Sequence, residues 1–234
     1  MKKLDFLCSN LIAHRGLHND KYPENSIGAF KRAIRKNYII ELDVHLLKDD
    51  TVVVFHDDNL YRMCGKRKKI KDYTYPELKK LKLLDTNYTI PTLENVLKLI
   101  DGKVPIIVEL KYDLKVGLLE EKVCELLDDY NGDFCVKSFS PLSIMWFKKN
   151  RPNYIRGLLI SNRSKKFREK LMHSFIPFWM CKPDFISCNY LLYKKRIIQK
   201  FMRKHPVIAW TVRSENIYNK YKDKFSNMIV EKFL

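Results

Sequence analysis

The sequence lacks any long apolar run. No stretch of the 234 residues approaches the roughly 18 consecutive apolar residues that a membrane-spanning helix needs, so we expect no transmembrane segment. The opening stretch MKKLDFLCSN is interrupted by Asp5, Ser9 and Asn10, which makes it a poor signal peptide. These two observations favour a cytoplasmic protein.

The sequence also lacks CxxC pairs, internal repeats and linkers rich in Pro, Gly or Ser. Its six cysteines are scattered: Cys8, Cys64, Cys124, Cys135, Cys181 and Cys188. A chain of this length buries a sizeable core without disulfides, so we expect free thiols in a reducing compartment. Because nothing marks a domain boundary, we predict a single domain over residues 1–234.

Positive charge is abundant, with 45 Lys and Arg against 27 Asp and Glu and a net charge of +18. Such an excess attracts nucleic acid, anionic membranes or phosphorylated substrates, although a solvated lysine-rich surface gives the same composition. No zinc-finger spacing, helix-turn-helix pattern or basic-aromatic repeat is present, so we expect no specific nucleic-acid partner. The basic and aromatic segment 161–185 suggests peripheral contact with an anionic membrane; a crossover helix followed by a packed loop is the alternative.

Short apolar runs alternate with stretches of helical periodicity along most of the chain. The strand-like runs are 11–14, 38–44, 104–110, 133–139, 154–160, 184–188, 207–212 and 228–231. Between them, segments such as NSIGAFKRAIRKN place their apolar residues on one helical face. Eight strands alternating with helices predict an α/β fold of the (β/α)8 TIM barrel type, and an open doubly wound sheet is the alternative.

Residues 42–56 interrupt this alternation because they leave no room for a helix. The turn-forming sequence Lys-Asp-Asp-Thr instead predicts a β-hairpin. If Asp49 and Asp50 are the two loop residues, Asp43 lies opposite His56. That register would bring a carboxylate and an imidazole to the same height.

Polar side chains occur where the predicted strands end. They are His14, Arg15, Glu41, Asp43, Glu109, Lys111, Ser138, Ser140, Trp210 and Thr211. Active sites of such barrels lie at the C-terminal ends of the strands, so we expect these residues to share one end of the barrel. In the second and third strands the charged positions are two residues apart, which puts them on one face.

These residue types together suit the cleavage of a phosphodiester. Ionised carboxylates among Val, Ile and Leu are costly unless paired or metal-bound, and three of them suit Mg²⁺ or Ca²⁺ better than zinc. Histidines such as His14 and His56 exchange protons near neutral pH, and Arg15 and Lys111 suit phosphate oxygens. Each residue alone has a common structural explanation, so the prediction of metal-assisted phosphodiester cleavage rests on their combination.

The order of the motifs carries a resemblance. The blocks AHRG, PENS, ELDV, VVVFHD, PTLENVL, VELK, KSFS and AWTV follow one another between residues 11 and 231. This pattern resembles the glycerophosphodiester phosphodiesterase family of the PLC-like phosphodiesterase superfamily. The resemblance implies a TIM barrel with a small hairpin-containing insertion after the second strand, over about residues 45–90. It also implies hydrolysis of glycerophosphodiesters to glycerol 3-phosphate and an alcohol, in lipid and glycerol metabolism.

The resemblance also implies roles for individual residues. The acid/base pair would be His14 and His56, the divalent cation (Mg²⁺ or Ca²⁺) would bind Glu41, Asp43 and Glu109, phosphate would contact Arg15 and Lys111, and Trp210 would line the pocket. Glu24 and Asn25 of the PENS block would support the first loop.

The chain departs from the family pattern in three places, one of which is the segment 61–71, which is more basic than usual. Asp50 stands where family members usually have glycine at the hairpin turn, and Val230-Glu231 replaces a usual Thr-Asp. Two other activities remain compatible with the sequence: a lysophospholipase D or phospholipase C-like enzyme, and a non-catalytic protein that binds a phosphate ligand or nucleic acid. The sequence does not indicate the head group or the oligomeric state.

Overall fold

Eight parallel strands close into a ring in the computed structural model, which describes residues 4–111, 115–161 and 180–233. The strands are β1 (Ile12–Ala13), β2 (Ile39–Leu46), β3 (Val52–Val54), β4 (Ile106–Leu110), β5 (Phe134–Ser138), β6 (Arg156–Ile160), β7 (Phe185–Asn189), β8 (Val207–Val212) and β9 (Asn227–Val230). All except β3 follow one another around the ring, and β1 pairs with both β2 and β9. The closed ring confirms the predicted TIM barrel and rules out the open doubly wound sheet.

Helices alternate with the ring strands, as the periodicity predicted. They are α1 (Ile27–Arg35), α2 (Tyr61–Cys64), α3 (Tyr75–Leu78), α4 (Leu93–Ile100), α5 (Leu118–Leu127), α6 (Pro141–Asn150), α7 (Arg196–Met202) and α8 (Glu215–Tyr221). Four of them begin after a Ser or Thr whose hydroxyl accepts a backbone N–H of the first turn: Ser26, Thr92, Ser140 and Ser214. Such caps satisfy donors that the helix itself cannot, so they fix where each helix starts.

The two faces of each ring strand have different surroundings. In β2, Ile40 and Leu42 point outward into the apolar cluster that includes Phe30 of α1. The alternate residues point into the barrel, where an apolar layer fills one end. This layer consists of Phe6, Leu7, Ile12, Ile39, Ile107, Cys135, Ile155, Phe185, Ile208 and Ile229. Gly157 of β6 makes room for it, because a Cβ there would overlap the Phe185 ring.

The hairpin forms as predicted, but its register differs by one residue. Strand β3 is antiparallel to β2, with Val44 opposite Val54. The loop has three residues rather than two, because the Leu47 N–H bonds to the Thr51 carbonyl at 3.0 Å and Asp50 adopts a left-handed conformation with φ 59°. The extra loop residue moves every pair along the hairpin.

The changed register corrects the expected position of Asp43. Its carbonyl accepts the N–H of Phe55 at 2.9 Å, so Asp43 lies beside Phe55 rather than opposite His56. The insertion, which contains the hairpin, has its own small core. This core comprises Leu47, Val53, Phe55, Leu60, Met63, Ile70, Leu78, Leu83 and Ile90. The insertion therefore holds His56 against the barrel through packing of its own.

Two sequence expectations concern membranes. Within the described residues, no helix combines the length and apolar character needed to cross a bilayer. The segment 161–185, considered for peripheral membrane contact, lies for the most part outside the described residues, since the structure describes nothing between 161 and 180. That contact stays a prediction.

Candidate active site

Three buried carboxylates lie directly above the apolar layer inside the barrel. Glu41 and Asp43 come from β2 and Glu109 from β4, and the pairing of β2 with β4 sets Asp43 beside Glu109. One carboxylate oxygen from each residue lies within 4.8 Å of those from the other two. They face inward because they share the strand parity of Ile39 and Ile107, which belong to the apolar layer. We call these three residues the carboxylate triad.

Two lysines form ion pairs with these carboxylates. Lys111 Nζ lies 2.6 Å from an oxygen of Asp43 and 2.6 Å from one of Glu109. Lys137 Nζ, from β5, lies 2.8 Å from Glu41 and 3.2 Å from Glu109. Burial tends to lower the pKa of each lysine, but the neighbouring carboxylates outweigh it and raise both pKa values. Both ammonium groups therefore stay charged and balance the carboxylates.

Arg15 completes the charge balance from the loop after β1. Its Nε lies 3.3 Å from Asp43, and its backbone N–H donates to Glu41 at 3.0 Å. Burial would raise the pKa of Asp43, but Lys111 and Arg15 hold it well below its usual range. Burial acts in the same direction on the pKa of Glu109, and the two lysines lower that pKa below its ordinary value.

The loop after β1 aims its side chains through a sharp turn. Arg15 and Gly16 both have left-handed backbone conformations, with φ 54° and φ 77°, and a Cβ on Gly16 would crowd Phe30 and Ala29 of α1. Glycine is favoured here because its φ is free of the Cβ penalty. From the same loop, the Asn25 side chain donates to Asp43 at 2.9 Å.

His14 forms a pair with a residue from the other end of the chain. Its Nδ1 lies 2.8 Å from Oε2 of Glu231, which follows β9, and Arg213 Nε donates to the same oxygen at 3.2 Å. Burial would raise the pKa of Glu231, but the hydrogen bonds and charges of His14 and Arg213 lower it. Glu231, a departure from the family pattern, is thus an anionic partner that orients the His14 ring.

His56 has a comparable arrangement at the edge of the site. Its Nδ1 lies 2.6 Å from Asp57, and Arg62 donates to Asp57 at 2.7 Å and to Glu24 at 2.6 Å. Burial tends to raise the pKa of Asp57, whereas hydrogen bonds from His56 and Arg62 lower it. Arg15 joins this network by donating to Glu24 at 2.7 Å, so the insertion and the first loop are tied together.

These groups surround one cavity of about 220 Å³ at the C-terminal ends of the strands. Its lining includes seven predicted site residues: His14, Arg15, Glu41, Asp43, His56, Glu109 and Trp210. The eighth, Lys111, lines a separate cavity beside His45 and reaches the triad from behind. Phe139 packs edge-on against Trp210, with ring centroids 5.8 Å apart, and gives the cavity an aromatic wall. A polar groove of about 820 Å³ adjoins it.

Sequence reasoning missed several functional-site residues. Lys137 is missed because Ser138 and Ser140, at the same strand end, are also polar and were predicted instead. In the structure the Ser138 hydroxyl donates to the Leu110 carbonyl at 3.0 Å, and Ser140 caps the N-terminus of α6. The available signal was parity, since Lys137 is two residues from Cys135 in the apolar layer. Asp57 lies in the quoted VVVFHD block and Glu231 at a noted departure from the family pattern, but neither position indicated a partner, and Arg213 had no signal in the sequence.

The geometry defines a class of enzyme. A closed barrel carries a triad of hard-cation ligands and two carboxylate-paired histidines around one cavity. Added to the arginine and lysines, this set provides what metal-dependent cleavage of a phosphoric diester needs.

Comparison with known proteins identifies the family. The family model "Glycerophosphoryl diester phosphodiesterase family" matches residues 14–231, and the chain belongs to this family of phosphoric diester hydrolases. The chain is 38% identical to the Bacillus subtilis protein YhdW, over 68% of this chain and 72% of that protein. It is 36% identical to a glycerophosphodiester phosphodiesterase of Bacillus altitudinis, over 62% of this chain and 64% of the relative.

Solved structures confirm the fold. The Oleispira antarctica phosphodiesterase OLEI02445, solved in complex with the product sn-glycerol-3-phosphate, superimposes with a TM-score of 0.78. The superposition covers 94% of this chain and 92% of the Oleispira chain, and the two sequences are 22% identical. The family confirms the predicted class of activity, the hydrolysis of glycerophosphodiesters. It also confirms the expected dependence on a divalent metal, for which the carboxylate triad is the candidate site.

Proposed function

We propose that this protein hydrolyses glycerophosphodiesters to glycerol 3-phosphate and an alcohol, with His14 and His56 as its proton-transfer pair. The observation that supports this assignment best is that both histidines and the whole carboxylate triad line one cavity at the C-terminal ends of the strands. Barrel enzymes place their chemistry at this end.

The carboxylate triad suits a hard divalent cation, Mg²⁺ or Ca²⁺. Its donors are all carboxylate oxygens, within 4.8 Å of one another, which is the donor type these ions prefer. When bound, such an ion neutralises charge that develops on the phosphoryl oxygens. Glu41, Asp43 and Glu109 would hold it, beside the ammonium groups of Lys111 and Lys137 that already balance part of their charge.

The two histidines divide the movement of protons between them. Glu231 and Asp57 accept from the Nδ1 atoms of His14 and His56, respectively, which leaves each Nε2 available for the reaction. One imidazole takes a proton from the attacking water as the new P–O bond forms between the water oxygen and phosphorus. The other, protonated beforehand, gives its proton to the alcohol oxygen as the old P–O bond breaks.

The remaining residues position the substrate. The Arg15 guanidinium, 13% exposed at its side chain, suits a phosphate oxygen at the cavity wall, and Lys111 supplies positive charge from behind the triad. Trp210 and Phe139 present ring surface, which suits the carbon face of the glycerol unit. These roles for Arg15, Lys111 and Trp210 are those that the family resemblance implies.

A substrate panel with three metals tests the proposal. Purified protein is given glycerophosphocholine, glycerophosphoethanolamine and glycerophosphoinositol with Mg²⁺, Ca²⁺ or Mn²⁺, and glycerol 3-phosphate is measured. We expect chelation to abolish its release and His14→Ala to lower kcat/KM by about 100- to 10,000-fold. His205→Ala, at an exposed histidine stacked on Phe201, is the matched control and keeps full activity.

The alternative activities give different outcomes in the same assay. A preference for intact lysophospholipid would identify a lysophospholipase D or phospholipase C-like enzyme. Tight ligand binding without turnover, with any of the three metals, would identify a non-catalytic protein and overturn the proposal.

We also propose a cytoplasmic location with peripheral contact to anionic membranes. None of the six cysteines, all within the described residues, forms a disulfide, as suits a reducing compartment. Co-sedimentation with anionic liposomes at low and high salt tests the membrane contact. Salt-sensitive binding supports it, and equal recovery in the supernatant with and without liposomes overturns it.

A further inference from the structure

A second group of metal-ligand side chains lies outside the carboxylate triad. A ring nitrogen of His14, a ring nitrogen of His18 and a carboxylate oxygen of Glu231 lie within 4.8 Å of one another. The three residues come from the loop after β1 and from the end of β9. We propose that they bind a zinc-class divalent ion that inhibits the enzyme by occupying His14.

His18 has the properties of an unused ligand. Its Nε2 is buried, and among the described residues it has no hydrogen-bond partner. Buried polar atoms are nearly always satisfied, so an unpaired ring nitrogen beside another imidazole and a carboxylate is available to a ligand from outside the chain. His18 is not needed for the proton transfers assigned to His14 and His56.

The donor types distinguish this site from the carboxylate triad. Two imidazoles and one carboxylate are a set that zinc accepts, with a further position left for water. The triad offers oxygen donors alone, which suit Mg²⁺ or Ca²⁺. The two sites, in one active centre, therefore select ions of different chemical class.

An ion can reach this site from solvent, but it competes with Arg213 for one of the three ligands. His18 and Glu231 both line the polar groove of about 820 Å³ that adjoins the catalytic cavity. Arg213, in the same lining, donates to Glu231 at 3.2 Å and competes with a metal for that carboxylate. Because 54% of its side chain is exposed, Arg213 can turn into solvent.

Inhibition follows from the use of His14. A bound ion takes a ring-nitrogen lone pair and disrupts the His14–Glu231 hydrogen bond, so that the imidazole no longer exchanges protons. The predicted inhibition rests on the proposed role of His14 in hydrolysis, whereas the predicted binding of the ion is independent of that role.

Cobalt spectroscopy measures binding without any reference to activity. Protein carrying Cys8→Ser, which removes an exposed thiol, is saturated with Mg²⁺ and titrated with Co²⁺. We expect a visible absorption band that Zn²⁺ abolishes. His18→Gln should weaken Co²⁺ and Zn²⁺ binding by at least about 10-fold, because even residues that only orient metal ligands contribute about 10- to 100-fold. His205→Gln is the control and leaves the titration unchanged.

A second variant protects the test against misfolding of the first. Arg213→Gln removes the competing guanidinium at an exposed position, and we expect it to tighten Co²⁺ and Zn²⁺ binding. An absorption band that is absent, or that is unaltered by both His18→Gln and Arg213→Gln, would overturn the site.

The activity measurement is read separately. With saturating Mg²⁺, Zn²⁺ should inhibit release of glycerol 3-phosphate, and His18→Gln should raise the inhibitory concentration by the same factor as it weakens binding. Zinc binding at His18 without inhibition would overturn the inhibitory role. A preparation without hydrolytic activity would count against the proposed function, while the cobalt titration would still decide the binding site.

Discussion

Two charged regions of the active site differ in their exposure to solvent. We call the inner one the floor: Glu41, Asp43, Glu109, Arg15, Lys111 and Lys137. We call the outer one the rim: Glu24, His56, Asp57 and Arg62. Lys137 in the floor has a side chain only 2% exposed, whereas that of Arg62 in the rim is 46% exposed. Both regions pair opposite charges, but the ion pairs of Lys137 in the floor are almost completely buried, so we expect them to be much stronger than those of Arg62 in the rim.

Removing one cation from each region should give the largest difference. In metal-free protein, Lys137→Met leaves the Glu41 carboxylate without its ammonium partner at 2.8 Å and should cost about 3–5 kcal/mol of unfolding free energy. Arg62→Met should cost about 1 kcal/mol, because water replaces its contacts. Urea unfolding monitored by circular dichroism measures both. Equal losses would refute the distinction between floor and rim.

His56 should separate activity from stability. His56→Ala removes the proposed proton-transfer group, whose side chain is 34% exposed, so kcat/KM should fall by about 100- to 10,000-fold while the unfolding free energy changes little. Steady-state kinetics and urea unfolding of the same preparation provide the measurement. A stability loss as large as that of Lys137→Met would mean that His56 belongs with the floor.

Glu231 should contribute to catalysis by holding the His14 ring in its orientation. Glu231→Gln keeps an oxygen near Nδ1 but removes the charge, and kcat should fall by about 10-fold or more with little change in KM. Glu231→Asp restores the carboxylate on a shorter side chain and should recover part of the loss. A rise in KM at constant kcat would instead place Glu231 in substrate binding.

Lowering the pH should reduce the stability that the rim contributes to the fold. We expect this to be the smallest of the four predicted effects. The pKa of Asp57 and the pKa of Glu24 lie below their ordinary values of 3.8 and 4.5, so the stability they contribute is present above those values and is lost as the pH falls through the lowered ones. Arg62→Gln removes a shared partner of both carboxylates. The variant should therefore lose less stability than the unaltered protein between about pH 5 and about pH 3. Parallel pH curves would contradict this.

Much of the fold was predictable because its signals are local. Continuous apolar runs mark the ring strands, and the rule that barrel sites lie at C-terminal strand ends placed residues such as Glu41 and Glu109 together. The hairpin register was not predictable, since a left-handed Asp50 adds a third loop residue where a pair of Asp residues suggested two. One backbone angle thus changed every pairing along the hairpin.

The site was predictable only in part because some of its contacts join distant parts of the chain. Parity along β5 indicates which way Lys137 points, but its place beside Glu109 follows only from the pairing of β5 with β4. Glu231 was noticed only as a departure from the family pattern, and its partnership with His14 depends on β9 closing against β1. Such pairings follow from tertiary packing, to which spacing along a single sequence gives no access.

The pairing of β1 with β9 has a consequence for when the enzyme becomes competent. His14 and Glu231 are 217 positions apart in the chain, and their hydrogen bond exists only after the last strand has closed the ring. The ligands of the carboxylate triad lie on β2 and β4, so they are synthesised well before the residue that orients the His14 ring. We therefore expect hydrolysis only from a chain in which the last strand has closed the barrel.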